Sequence, residues 1–434
     1  MPMTSRRVML AAAAVTSVAV ALAGCSSGSG SGSGSGSTTQ LKVWLGDPVS
    51  PQTMPFVQQL ASQYEKSHPN VKIQLTLLSD ANAHQQYITA IEGGSTPCIG
   101  LVGNTWTPEF AGLGALAPIS TSVATLKQTY VASMVDSATY QGKAYGYPYD
   151  VGVRALIYRK DLLAKAHLNP PTTWTALQQD ATKLQSANPG VSGFAIIGGN
   201  QWYYLPMVWN WGGQIAVQQG GKWVSQMNSS AAVQAYSFYA SLLRTDKLSP
   251  SASASWQGSD ADQAFSLGKV AMMVGGSWDL QAILANKASM QPQIGTALLP
   301  SGPAGNNDTF AGGSNLAVFK NCTDQADANS FIKFLLQNKN VTHLTSSLGL
   351  FPATLSGVSQ QMAPGQAFST PLWKTFALQV PHSRSVPEAS TWGGVEGSND
   401  LINAMQALFN GQNATTAMSQ LASQIDTQLN SKTS

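Results

Sequence analysis

Leu41, Val43 and Leu45 alternate with other residues at the start of the globular sequence, and D-P at 47 to 48 interrupts the run. Such alternation gives an extended strand one apolar face, and the Pro ends it. Phe56, Val57, Leu60, Ala61 and Tyr64 then recur at helical spacing behind Pro55, S-H-P-N at 67 to 70 stops them, and Val71, Ile73 and Leu75 alternate again. This order predicts a βαβ unit. Because the helix must carry the chain back before the second strand starts, the unit dictates a parallel pair and a right-handed crossover. A second helix around Tyr87, Ile88 and Ile91 ends at Gly93 and Gly94 and leads into the short strand C-I-G-L-V-G-N from Cys98. The opening hundred residues of the body are therefore expected to form an α/β lobe of doubly wound type.

A chain of 434 residues exceeds one ordinary domain, so two lobes, each with its own core, are expected. Later segments keep the α/β mixture. I-Y-R-K-D-L lies near 160, an amphipathic helix follows N-P-P-T-T-W at 169 to 174, and apolar runs occupy 270 to 274 and 315 to 319. A helical stretch from Asn399 to Leu429, broken at N-G-Q-N, closes the pattern, and no internal repeat is present. Charged residues are only 10% of the composition and the net charge is +3, with no basic run in either half. This excludes nucleic acid and an anionic membrane surface as partners held by charge.

Residues 1–24 read as an export signal: Arg6 and Arg7 precede an apolar stretch from Val8 to Leu22, too short and Ala-rich for a membrane span. L-A-G-C at 22 to 25 resembles the bacterial lipobox, which implies that Cys25 becomes a lipidated N-terminus. S-R-R-V-M-L at 5 to 10 also looks like a twin-arginine signal, so both export routes stay open. Residues 25–39 form the lipidated Cys and a Gly/Ser tether with no side chains to bury. With Cys25 set aside, Cys98 and Cys322 are an even pair in an oxidising compartment.

Five further motifs occur in one order: Y-Q-G-K-A-Y-G-Y-P at 140 to 148, L-I-Y-R-K-D-L at 156 to 162, P-P-T-T-W at 170 to 174, G-K-V-A-M-M-V-G-G-S-W at 268 to 278, and G-G-S-N-L-A-V at 312 to 318 followed by A-N-S-F-I-K-F-L-L. Together, behind a lipobox, they resemble the carbohydrate-type extracellular solute-binding proteins of ABC importers, the group that includes maltose- and trehalose-binding proteins. The resemblance implies a type II-like periplasmic-binding-protein fold, in which two α/β lobes close on a sugar by hinge motion. It places 40–148 plus 311–350 in the first lobe and 149–310 plus 351–434 in the second. It also implies that the 315–319 strand returns antiparallel to the strand from Cys98, bringing Cys98 and Cys322 into a structural disulfide. A monomer is expected, partnered by permease subunits and anchored to the outer face of the cytoplasmic membrane by lipid, with no cofactor or metal.

A sugar presents C–H faces and a rim of hydroxyls, so its site needs flat aromatic platforms and carboxylates or amides around the edge. The chain has 11 Trp against few charges. By resemblance, Trp278, at the end of G-G-S-W, is a stacking platform, and Trp202 lies where relatives carry a cleft aromatic. Trp44 and Asp47 end the first strand, and Asn104 and Trp106 end the Cys98 strand, at the edge where α/β sheets bind ligands. Asp47 before Pro48 is equally an ordinary turn former. Ser314 and Asn315 follow two glycines that let backbone approach a ligand, and Trp392 in S-T-W-G-G completes the candidates. Asp150 sits at the first crossover, where it contacts ligand, pairs with Arg154 to fix the hinge, or does both.

Other readings compete. An extracytoplasmic glycosidase needs two carboxylates flanking a bond; Asp150, Asp279, Glu388 and Glu396 are available, but no motif pairs them. S-F-I-K at 330 to 333 matches S-x-x-K in spelling only, lying mid-helix without a K-T-G partner. Tyr203 and Tyr204 evoke ferric-ion ligands, although the L-P and apolar run behind them suit packing. A peptide is a further non-sugar solute, and a sensor role is open.

Overall fold

The computed structural model describes residues 38–79 and 82–431. The predicted signal peptide, Cys25 and the tether up to Ser37 lie outside the described residues. The first βαβ unit is present: β1 (Thr39–Leu45), a helix at Met54–Ser67 and β2 (Val71–Leu77), with β1 and β2 parallel and Val43 opposite Leu75. Leu41, Val43 and Leu45 are buried in the core, while Trp44 on the other face lies against Tyr87 at 5.5 Å. A helix at Ala83–Glu92 leads to β3 (Ile99–Gly103), parallel to β1 on its other side. As a central strand, β3 buries side chains on both faces, so its sequence is apolar without alternation.

The chain leaves this sheet after β4 (Tyr147–Pro148) and builds a second one from β5 (Arg154–Arg159), β6 (Met272–Gly276) and β7 (Ile294–Ala297). Here β5 is central and antiparallel to both neighbours, and parallel bridges between Ser192 and Val270 and between Ala195 and Met273 extend the edge. The chain then returns as β8 (Ser314–Val318), completing a five-stranded first sheet in the order β2-β1-β3-β8-β4. Since β8 runs antiparallel to β3, with Val318 opposite Ile99, its end lies beside the start of β3. Cys98 and Cys322 are thereby joined in a disulfide, with Cα atoms 4.6 Å apart. The last helices, Asp400–Phe409 and Ala414–Leu429, are separated by the expected break and pack on the Ser230–Arg244 helix.

Between the sheets, residues 149–152 are flanked on both sides by backbone. Gly152 and Gly312 exchange amide-to-carbonyl bonds of 2.9 and 3.0 Å, Tyr149 N–H donates to the Ser314 carbonyl at 2.9 Å, and Ala353 N–H donates to the Tyr149 carbonyl at 3.1 Å. Two glycines are required there. Gly313 has a φ of 149°, and a Cβ on it would strike the Asp150 carbonyl; a Cβ on Gly152 would lie 2.7 Å from the Trp278 ring.

Candidate functional site

The carboxyl ends of β1 and β3 and the amino end of antiparallel β8 share one edge of the first sheet. Asp47 follows β1, Asn104, Thr105 and Trp106 follow β3, and Gly313 and Ser314 lead into β8. These residues form one wall of a cavity of about 320 Å³, whose other wall is Trp202, Phe310 and Glu396. Backbone and side-chain bonds fix the first wall. Asn104 N–H donates to the Gly313 carbonyl at 3.0 Å and its Nδ2 to the Ala311 carbonyl at 2.7 Å. Ser314 Oγ donates to the Asp47 carbonyl at 3.0 Å. On the far wall Trp202 and Phe310 stack with centroids 4.0 Å apart and planes 15° from parallel.

Glu396 joins the walls. It lies on the Trp392–Gly397 helix, where Trp392 Nε1 donates to its Oε1 at 2.7 Å, and Thr105 Oγ1 donates to its Oε2 at 3.2 Å from the end of β3. Burial pushes the Glu396 carboxyl up to about 7; the two donors and nearby His84 oppose this, and Glu109 adds to it. His84 Nε2 lies 2.8 Å from Glu109 Oε2, and the His84 ring is 5.1 Å from that of Trp106.

Five sequence candidates, Asp47, Asn104, Trp106, Trp202 and Ser314, line this cavity together. The other candidates lie elsewhere. Trp392 is fully buried, its indole N–H taken by Glu396, so it supports the wall instead of offering a ring face. Asn315 is fully buried, its Nδ2 donating to Thr107 Oγ1 at 3.0 Å. Trp44 packs on Tyr87 and does not line the cavity. Trp278, half-buried, covers Gly152 and lies 5.1 Å from the Arg154 guanidinium.

Of the two roles open to Asp150, the pairing with Arg154 is not formed. Asp150 is buried behind Ser314, whose N–H donates to its Oδ1 at 3.0 Å. Burial, then the Asp47 charge, raise its pKa well above the ordinary value. Arg154 lies 4.3 Å above the Tyr203 ring. Its charge favours ionised Asp279, which accepts from Gly276 N–H at 2.7 Å and Tyr203 Oη at 3.1 Å. Burial nevertheless raises Asp279 and takes neighbouring Asp262 up to about 9. Tyr203 and Tyr204 are both core residues, 5% and 0% exposed.

A larger groove of about 870 Å³ opens beside residues 384–391 and is lined by Tyr140, Trp209, Trp223, Arg384 and Glu388. None of the sugar-binding candidates reaches it; of the four carboxylates weighed for a glycosidase, Glu388 alone does. The smaller cavity is the better site because it sits where parallel strands end and where segments distant in sequence converge. Phe310 and Glu396 carry no motif of their own; from sequence Glu396 is only one of four available carboxylates, and its i+4 spacing from Trp392 on one helix face is the further signal.

Residues 48–342 match the profile of the bacterial extracellular solute-binding protein family, and the chain belongs to that family. Among its relatives is the diacetylchitobiose-binding protein DasA of Streptomyces coelicolor, 25% identical over 90% of this chain and 89% of that protein. An uncharacterized lipoprotein of Streptomyces antibioticus is also 25% identical, over 83% and 80% of the two chains. The GacH receptor of Streptomyces glaucescens, solved unliganded and with acarbose, superimposes with a TM-score of 0.75 at 25% identity, covering 90% of this chain and 98% of that one. The fold is thus that of the two-lobe sugar-binding proteins of ABC importers, and the family and its neighbours are binding proteins.

Proposed function

We propose that the protein is an extracytoplasmic lipoprotein that captures a sugar, a disaccharide or oligosaccharide, between its lobes and delivers it to an ABC permease without chemically altering it. Residues 40–148 plus 311–350 make the first lobe, residues 149–310 plus 351–434 make the second, and the backbone-paired segments at 149–152, 311–314 and 351–353 are the hinge. Cys25 carries the lipid; the lipoprotein among the relatives supports this reading. The observation that carries the proposal is the cavity whose walls come from the end of β3 on one side and from Trp202, Phe310 and Glu396 on the other.

Sugar stabilises the closed form because only there do both walls touch it. Trp106, Trp202 and Phe310 supply faces for C–H groups, and Asp47, Asn104, Thr105, Ser314 and Glu396 supply rim acceptors and donors. Asp150, behind Ser314, holds the hinge backbone at the cleft floor. A thermal-shift panel of glucose disaccharides, β-linked oligosaccharides, pentoses and amino sugars tests the function. A true ligand at a hundred times its dissociation constant stabilises by about 2.7 kcal/mol. A shift with an amino acid, peptide or metal and none with any sugar refutes the substrate class.

A further inference from the structure

The cavity's charge is one-sided. Two carboxylates, Asp47 and Glu396, line it, and among the described residues no Lys, Arg or His side chain does. Behind the lining stand Asp150, whose carboxyl accepts from Ser314 N–H, and Glu109, beside the one nearby imidazole, His84. Arg154 lies beyond Trp202, over Tyr203 and Trp278. Lys and Arg outnumber Asp and Glu by 23 to 20 in the whole chain, so the acidity of this cavity is local. Three aromatic residues, Trp106, Trp202 and Phe310, line the same cavity.

A cleft with ring faces and acceptors of negative charge favours a cation bearing C–H faces, because ring quadrupoles and carboxylates act on it in the same sense. Resting on the sugar-binding reading above, we propose that the cleft selects saccharides that carry a protonated amine over neutral saccharides of the same linkage, and rejects uronates and sugar phosphates. Glu396 is the residue that discriminates. It is half-buried, and its two donors, Thr105 and Trp392, come one to each oxygen, leaving lone pairs for an ammonium N–H. A neighbouring cation also favours its ionised form, so binding an amine expels a proton from Glu396 that a neutral sugar does not. His84 and Glu109 are the other titratable groups facing it.

The test is calorimetry at pH 6.5 on matched probes: maltose and cellobiose, their 2,2′-diamino-dideoxy counterparts, and cellobiouronic acid, each titrated in two buffers of different ionisation enthalpy. In at least one linkage the diamino sugar should bind at least tenfold tighter than the neutral one and release a proton, while the uronate fails to bind. Glu396→Gln should bring the amine-to-neutral ratio to within about threefold and abolish proton release. If that variant does not fold, Asp47→Asn, in an exposed turn, should lower the same ratio severalfold. Neutral sugars binding as tightly as the amines, or an unchanged ratio in the variants, overturns the amine preference while leaving the sugar-binding reading intact. Failure of every saccharide to bind removes both.

Discussion

Replacing Cys98 and Cys322 by Ser separates what holds the first lobe together from what binds the ligand. The disulfide closes a loop of 224 residues, within which the whole second sheet is built. In the chain-entropy account a loop of about 100 residues is worth about 4.7 kcal/mol, and each doubling adds only about 0.6 kcal/mol, so the bond restrains the unfolded chain by about 5 kcal/mol. Native disulfides return about 2–5 kcal/mol, and the double variant is expected in the upper part of that range. Denaturant titration of both proteins, read as a lower midpoint at unchanged slope, measures it. Affinity for sugar should stay within about twofold. The bond sits at the amino end of β3, whereas Asn104, Thr105 and Trp106 follow its carboxyl end, a strand's length away at roughly 3.3 Å per residue. A stability loss below about 1 kcal/mol, two freely alkylated thiols in the untreated protein, or a tenfold fall in affinity would refute this reasoning.

Thr105→Val deletes the donor that reaches Glu396 across the cavity. Such a bond contributes about 1 kcal/mol, and calorimetry should show roughly fivefold weaker sugar binding with little change in melting temperature. The raised Glu396 carboxyl gives the folded protein a proton that the unfolded chain lacks near neutrality, so its stability contribution is complete below about 4.5 and lost as pH rises through about 7. Asp150 and Glu388 act in the same direction, and Asp262 continues to about 9. Melting curves from pH 5 to 8 should therefore fall, and Glu396→Gln should flatten that fall; a parallel curve for the variant contradicts the assignment. Trp202→Ala, which removes a cavity ring and its stack on Phe310, should cost at least tenfold in affinity. Trp278→Ala should lower melting temperature and leave affinity within about threefold, the reverse order returning Trp278 to the site.

Period and spacing alone specified the first sheet's start. The alternation at Leu41 to Leu45, the helix behind Pro55 and the second alternation from Val71 are local signals, and each formed the element it implied. Because parallel strands present their carboxyl ends on one edge, the same signals placed Asp47, Asn104 and Trp106 at the cavity mouth before any tertiary contact was known. The opposite wall has no such local origin. Thr105 and Glu396 are 291 residues apart, and only the docking of the C-terminal helices against the end of β3 brings them together. Trp392 and Trp278 show the same limit in reverse: an indole pattern does not say whether a ring will meet solvent, a carboxylate or a glycine backbone. Tertiary packing made one a buried donor to Glu396 and laid the other over Gly152. The sequence thus determined the strands and the edge that carries the cavity, since those follow from neighbours a few residues apart. The structure decided which acids and rings close over that edge, because burial and charge there depend on segments hundreds of residues distant.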